Sequence, residues 1–132
     1  MTRDANSPSP ASADGAGTIP PGSGAPGSVD VLTGARATRV VLVGEIDADL
    51  GPRLVECSAA AEAARLPIEV DVRAVSFMDS TGVAFLARLA SRSEERLVLI
   101  QPPELVRFLL GVTSINEVLE ILDEDPGFEP AP

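Results

Sequence analysis

Residues 75–86 read Val75-Ser-Phe-Met-Asp-Ser-Thr-Gly-Val-Ala-Phe-Leu86, and this stretch carries the most specific signal in the chain. An apolar run ends at Met78, and the residues after Asp79 and Ser80 place apolar side chains at helical spacing. Asp and Ser are preferred at helix N-termini, because a side-chain oxygen accepts a hydrogen bond from a free N–H of the first turn. The stretch therefore predicts a helix that begins within Asp79–Gly82.

The same alternation extends on both sides of this stretch. Apolar, β-branched runs predict strands at 29–32, 39–43, 68–72, 97–100 and 118–122. A first helix is predicted from Asp47 or Asp49 through Ala64, and a third helix at 104–110. Strands that alternate with helices imply parallel pairing and right-handed crossovers, and the first two strands form a hairpin. The predicted class is α/β, a single domain with a mixed sheet of four to five strands and helices packed on it.

Both ends of the chain differ in composition from the middle. Residues 1–28 contain five each of Ala, Gly, Pro and Ser, a composition that buries too little apolar surface to fold, so we expect a disordered leader. Residues 123–132 contain four acids and three prolines and are expected to form a short acidic tail. The remaining residues, 29–122, are expected to form the one domain. The leader and the tail carry half of the net charge of −10.

The residue types that are missing exclude several classes of chemistry. The 132 residues include no His and no Lys, so His-dependent triads, His-ligated metal sites and a Walker A loop are ruled out. One Cys, Cys57, permits no internal disulfide. The negative charge argues against nucleic acid and anionic membranes as partners. With no membrane span and no apolar signal segment, we expect a cytoplasmic, monomeric protein without enzymatic activity, cofactor or bound metal.

The residues Asp79, Ser80 and Thr81 support two interpretations. The simpler one is structural capping of a helix. The other is a phosphorylation switch, because a helix N-terminus tolerates added negative charge, and a phosphoryl group on Ser80 or Thr81 would add nearly two charges. That group would lie beside Asp79 and near Asp47 at the end of the neighbouring strand. The spacing permits such a switch without establishing it.

Two motifs together resemble a known family. Gly44-Glu-Ile-Asp47 follows one strand, and Phe77-Met-Asp-Ser-Thr-Gly82 follows about thirty residues later. This arrangement resembles the STAS domain of bacterial anti-sigma factor antagonists, over roughly residues 29–122. The match is strongest at Met78-Asp-Ser-Thr-Gly82, which is nearly identical to the corresponding stretch in the family members that can be phosphorylated.

The resemblance implies a protein that binds a partner and is phosphorylated by that partner. Ser80 is the implied phosphoacceptor for a serine-kinase anti-sigma factor, and a separate phosphatase would restore it. The unphosphorylated chain would bind the kinase and release a sigma factor, and phosphorylation would block that binding. By position, Asp79, Thr81 and Gly82 would shape the acceptor loop, and Asp47 would lie on the same partner-binding surface.

This sequence departs from the family pattern at two places. The stretch 90–97 lacks the usual glycine-containing turn and is a few residues short, so the helix or the loop must be trimmed. The family ends with a helix after the last strand, whereas here Asp123-Glu-Asp-Pro-Gly127 follows. The terminal helix is therefore expected to be absent or reduced to a turn.

Other functions remain open from the residues alone. The chain could be a STAS domain of another kind, either a signalling scaffold or an accessory subunit of a lipid transporter. A small enzyme or nucleotide-binding domain is a weaker alternative. Asp47 and Asp79 could jointly hold Mg²⁺, although two carboxylates are a weak signal.

Two further features are expected to be structural. Cys57 falls on the buried stripe of the first helix and is interpreted as a small core residue. Arg88, Arg92 and Arg96 recur every four residues and are interpreted as a solvated face. The alternative for these arginines is a basic strip that meets an acidic partner.

Overall fold

A computed structural model describes residues 26–132 of the chain. Its regular elements follow in the order β1 (Ser28–Thr33), β2 (Thr38–Ile46), α1 (Gly51–Ala63), β3 (Ile68–Met78), α2 (Ser80–Arg92), β4 (Leu97–Ile100), α3 (Glu104–Val112) and β5 (Leu119–Leu122). Short 3-10 helices at Ala48–Leu50 and Ile115–Val118 precede α1 and β5. The predicted leader lies mostly outside the described residues. The packed domain begins before the predicted boundary at 29, because Pro26 bridges Glu45 and Ser28 opens β1.

The five strands form one mixed sheet in the order β1-β2-β3-β4-β5. β1 and β2 are antiparallel, and every other neighbouring pair is parallel. Because the strand order follows the chain, right-handed crossovers place all three α-helices on the same face of the sheet. The prediction of an α/β domain with a mixed sheet is confirmed, with five strands.

The core lies between this helical face and the sheet, and it is mainly aliphatic. Leu42 and Leu99 from the sheet meet Leu86 and Leu110 from the helices, and all four side chains are fully buried. Cys57 belongs to the same cluster, which confirms its interpretation as a core residue. Burial raises the pKa of its thiol, so the thiol stays in its neutral form.

Strand β3 is six residues longer than the predicted span 68–72, and its extension positions the site. It follows β2 through two register shifts, between Val41 and Val43 and between Gly44 and Glu45. Gly44 has a φ of +79°, a conformation that glycine adopts without steric strain. The irregular pairing breaks the simple alternation of apolar residues, which explains why the prediction ended too early.

No helix follows β5 in the described part of the chain, as predicted. Residues 123–132, which we name the C-terminal strap, are packed against the domain rather than forming a separate tail. The strap reaches the β1–β2 turn, where Ala35 N–H donates to Glu129 O (2.9 Å) and Ala131 N–H donates to Thr33 O (3.1 Å). It thus connects the β5 end of the sheet to the β1–β2 end.

Candidate functional site

Two strand-to-helix turns lie side by side at the carboxyl edge of the sheet. β2 and β3 end at the paired residues Ile46 and Met78. The N–H of Asp79 donates to the carbonyl of Ile46 (3.1 Å), which ties the second turn to the end of β2. Asp47 and Asp79 therefore begin neighbouring turns, although they are distant in sequence.

Each of these aspartates uses a carboxylate oxygen to cap a helix. Asp79 Oδ1 accepts from Thr81 N–H at 2.8 Å and caps α2, as the sequence predicts. Asp47 Oδ1 accepts from Asp49 N–H at 3.1 Å, but it caps the short 3-10 helix and not α1. The prediction of α1 starting at Asp47 or Asp49 is corrected: α1 begins at Gly51, and Leu50 is its N-cap residue without a side-chain cap.

The start of α2 presents Ser80 to solvent and presses Gly82 against the strand ends. Ser80 is the first residue of α2 and is exposed, Thr81 is half-buried, and Gly82 is buried. A Cβ on Gly82 would lie 2.5 Å from Met78 Cγ and 3.0 Å from Ile46 Cγ2. A larger residue there would push the helix start off the sheet, so Gly82 lets the Ser80 loop sit close to β2 and β3. All five predicted residues are thus brought to one edge.

An apolar groove extends from Ser80 between α1 and α2. Its volume is about 490 Å³, and its lining comprises Gly51, Leu54, Val55, Ser58, Ser80, Thr81, Ala84, Phe85 and Arg88. Val55 leaves 65% of its surface exposed. The groove could not be predicted from the sequence, because it depends on how α1 and α2 pack against each other. The one signal was Val55, an apolar residue outside the buried stripe of α1.

The three evenly spaced arginines are exposed, but only Arg88 and Arg92 lie on α2. The prediction of a solvated helix face is therefore confirmed for these two and wrong for Arg96, which follows the helix. Arg88 and Arg92 both pair with Glu62 of α1, at 3.3 and 3.7 Å. Arg96 instead donates to the carbonyl of Glu117 at 2.8 Å. The three arginines therefore contact two different neighbours, Glu62 and Glu117. Of the three, only Arg88 lines the groove.

Two other features to consider are a metal site and a membrane-spanning helix. Within 26–132, no group of three or more His, Cys, Asp or Glu side chains comes together in a way that could hold a metal ion. Over the same residues, no helix is both long and apolar enough to cross a membrane.

Comparison with known proteins shows the family of this chain. The family model described as "Mlab, STAS domain" matches residues 30–122. The chain belongs to the STAS domain family. Among solved structures, its fold is similar to an anti-sigma factor antagonist from Mycobacterium paratuberculosis, with a TM-score of 0.67 and 21% identity. That match covers 74% of this chain and 86% of the other.

A second solved structure is similar to this STAS domain. It is the anti-sigma factor antagonist SpoIIAA in its unphosphorylated form, with a TM-score of 0.60 and 19% identity, covering 74% of this chain and 90% of that one. At these identities, the two structures establish a shared fold. A search of curated proteins finds no match to this chain.

Proposed function

We propose that this STAS domain is an anti-sigma factor antagonist that phosphorylation at Ser80 switches off. In its unphosphorylated form it binds a serine-kinase anti-sigma factor and thereby releases a sigma factor. The observation that carries the proposal is the exposed Ser80 at the first position of α2, directly after the capping residue Asp79, beside the turn that Asp47 begins, and at the end of an apolar groove.

The local electrostatics suit a modification that spares the fold. The free N–H groups and the dipole at the start of α2 accept added negative charge without unfolding the helix. Asp47 and Asp79 already make the surface around Ser80 negative. A phosphoryl group there adds nearly two further charges, which a complementary partner surface must desolvate. Phosphorylation of Ser80 therefore changes the charge of the binding face more than it changes the fold of the domain.

The groove gives the partner an apolar surface beside the acceptor serine. Leu54, Val55 and Phe85 line it, and Arg88 offers one cation at its far end. A kinase bound over this groove has its active site next to Ser80. Because the chain contains no lysine, the ATP-binding machinery belongs to the partner, as do the metal ions of phosphoryl transfer.

Intact-mass measurement after incubation with ATP and a serine-kinase anti-sigma factor tests the acceptor. The expected result is a gain of one phosphate by the wild-type chain and none by Ser80→Ala. Thr81→Ala separates the two neighbouring hydroxyls, and Ser91→Ala is a matched control because Ser91 is an exposed serine on the same helix. A phosphate retained by Ser80→Ala would assign the site elsewhere.

A second candidate function is favoured by the description of the matching family model. That model is described as "Mlab, STAS domain" rather than as an antagonist model. The second candidate is a non-switching STAS scaffold or an accessory subunit of a lipid transporter. In that case the groove still binds a partner, but Ser80 is not phosphorylated, and Ser80→Ala and wild type behave alike in the presence of ATP.

A further inference from the structure

The C-terminal strap covers part of the sheet face opposite the three helices. Its backbone bonds the β1–β2 turn, as described above, and Pro130 forms an antiparallel bridge with Gly34. Between these bonds and β5, the strap crosses over Arg39 of β2 and Arg73 of β3. The strap therefore lies on a different surface from the groove beside Ser80.

Arg39 is the centre of a preformed binding site under the strap. Its side chain is only 6% exposed and bonds Glu69 of β3 at 2.7 Å and Asp125 of the strap at 3.0 Å. The ring of Phe128 lies over the same guanidinium, with its centroid 5.2 Å from Cζ. One arginine thus holds a carboxylate at its edge and an aromatic ring on its face.

The turn between β1 and β2 leaves room for that ring. A Cβ on Gly34 would lie 2.7 Å from Phe128 Cε1 and 2.2 Å from the carbonyl oxygen of Ala37. The absence of a side chain at Gly34 therefore provides the space into which the ring fits. The site is shaped for an aromatic group, rather than merely covered by one.

The strap presents its two anchoring side chains on a self-contained turn. Asp125 Oδ1 accepts from Gly127 N–H at 2.8 Å, and Gly127 has a φ of +91°. This bond forms within the segment Asp125-Pro-Gly-Phe128, which makes the turn local in sequence. A segment of another chain that combines a carboxylate, a glycine-containing turn of this kind and an aromatic ring three residues later can present the same pair.

The strap fills its site incompletely and buries little of its own surface there. A cavity of about 430 Å³ lies between them, lined by Ala37 and Glu69 on the domain side and by Gly127 and Glu129 on the strap side. Apart from half-buried Phe128, every strap residue is exposed. The pair between Arg73 and Asp125 is partly exposed and contributes little net stability. The strap is held mainly by the buried Arg39, by the ring of Phe128 and by its backbone bonds to the β1–β2 turn. Because local opening breaks only these few contacts, it costs less than unfolding of the domain.

Charge defines what can replace the strap. Arg39 faces Glu69, Arg73 faces Asp71, and Asp125 bridges both arginines at 3.0 and 3.2 Å. When the strap leaves, both guanidinium groups lose the same carboxylate. The vacated site therefore offers N–H donors of two guanidinium groups that a single incoming carboxylate can bridge, as Asp125 does.

We propose that the sheet face beneath the strap is a second docking surface, which binds a partner segment presenting a carboxylate and an aromatic ring three residues apart. The strap is the chain's own ligand for this surface and must be displaced before the partner segment binds. The surface does not include Ser80 or the groove, so it can be occupied whatever the state of Ser80.

A peptide supplied in trans tests the proposal on the full-length chain. The probe is a fluorescently labelled peptide of residues 122–132, and the released protein is the double variant Asp125→Ala/Phe128→Ala. We expect the double variant to bind the peptide at least tenfold more tightly than wild type, whose own strap competes. A peptide carrying the same two alanines should not bind. The matched protein control is Asp123→Ala, because Asp123 pairs with Arg107 rather than with Arg39.

Hydrogen exchange and oligomeric state make the result decisive. The amides of Ala35, Gly127, Phe128, Glu129 and Ala131 should exchange faster in the double variant. The amide of Ala35, which donates to Glu129 O in the wild type, should slow again when the peptide is added. If these amides accelerate but the peptide does not bind, the strap is only a structural clasp and the proposal is wrong. If the double variant does not fold, Phe128→Ala keeps the ion pairs and should still bind more tightly than wild type. A wild-type dimer with exchanged straps would also overturn it, because a second copy would then fill the surface.

Discussion

Carboxylates at the carboxyl edge of the sheet and carboxylates under the strap perform opposite tasks. At the edge, Asp47 and Asp79 bond backbone N–H groups, and no arginine among residues 26–132 forms an ion pair with them. Under the strap, Asp71 and Asp125 pair with arginines. The negative charge at the edge therefore stays available to act on an incoming group, whereas the charge under the strap is neutralised and holds two segments together. Each region can be perturbed separately, with different consequences.

The largest expected effect is on partner binding at the edge. Ser80→Asp adds a third carboxylate to this surface, and burying an unpaired charge at an interface costs about 2–5 kcal/mol. Affinity for the serine-kinase anti-sigma factor should fall by roughly 30-fold or more, measured by isothermal titration. Ser80→Ala should bind within a few-fold of wild type. Ser91→Asp is the charge-matched control on the same helix, and an equal loss in that variant would disprove a local effect at Ser80.

The next effect is on stability under the strap. Arg39→Ala removes the cation between Glu69 and Asp125 and leaves Glu69 beneath the strap without its partner. Breaking a buried pair from one side costs about 3–5 kcal/mol, and the partial exposure of Asp125 reduces this to about 2–3 kcal/mol. Urea unfolding measures the loss. Arg36→Ala is the control, because Arg36 is 89% exposed and pairs with Glu129 at 3.9 Å, and it should change stability by less than about 0.5 kcal/mol.

A smaller effect is expected on the free energy of unfolding, and it differs between the two capping aspartates. Asp79→Ala removes the N-cap of α2 and should lower the free energy of unfolding by about 1 kcal/mol, measured by urea unfolding. Asp79→Asn should lose less, because Asn also caps helices. Asp47→Ala should cost less than Asp79→Ala, since Asp47 caps only a three-residue 3-10 helix. Equal losses at both positions would contradict the different roles assigned to the two turns.

The smallest expected effect is a pH dependence of stability that arises from Asp125 in the strap. The hydrogen bond from Arg39, followed by that from Gly127 N–H, lowers the pKa of Asp125 from 3.8 to about 2. A carboxyl with a lowered pKa stabilises the fold above its unfolded pKa, and this contribution is lost as pH falls through the folded pKa. The difference in stability between wild type and Asp125→Asn should therefore be full above pH 4 and shrink toward pH 2. Urea midpoints across this range measure it, and a constant difference would contradict the ion-pair assignment.

Local sequence patterns predicted the fold where short-range chemistry decides it. The stretch Asp79–Gly82 predicted where α2 starts, and the helix begins at Ser80 within it, because N-capping involves only neighbouring groups. The span 97–100 predicted β4 exactly as far as it extends, since an apolar run there is bounded by polar residues. Asp47 or Asp49, in contrast, was predicted to cap α1 directly. The chain instead makes a 3-10 turn first, and α1 begins with Gly51 and Pro52.

The parts that sequence did not predict depend on contacts between distant residues. Arg39 and Asp125 are 86 positions apart, and neither residue shows in isolation that it has a partner. An acidic, proline-rich segment therefore resembled a tail although it folds onto the sheet. The groove beside Ser80 depends in the same way on how α1 packs against α2. Ser80 is proposed as the phosphoacceptor because of the family motif, and capping chemistry alone does not distinguish it from an ordinary helix start.

The most direct test of the central claim is the affinity of one serine-kinase anti-sigma factor for this chain before and after that kinase phosphorylates it. Isothermal titration should show tight binding of the unmodified chain and a loss of roughly 30-fold or more once Ser80 carries phosphate, while circular dichroism stays unchanged. Treatment with a phosphatase should restore the original affinity. Equal affinity for the two forms, with Ser80 shown by mass spectrometry to be fully phosphorylated, would contradict the switch.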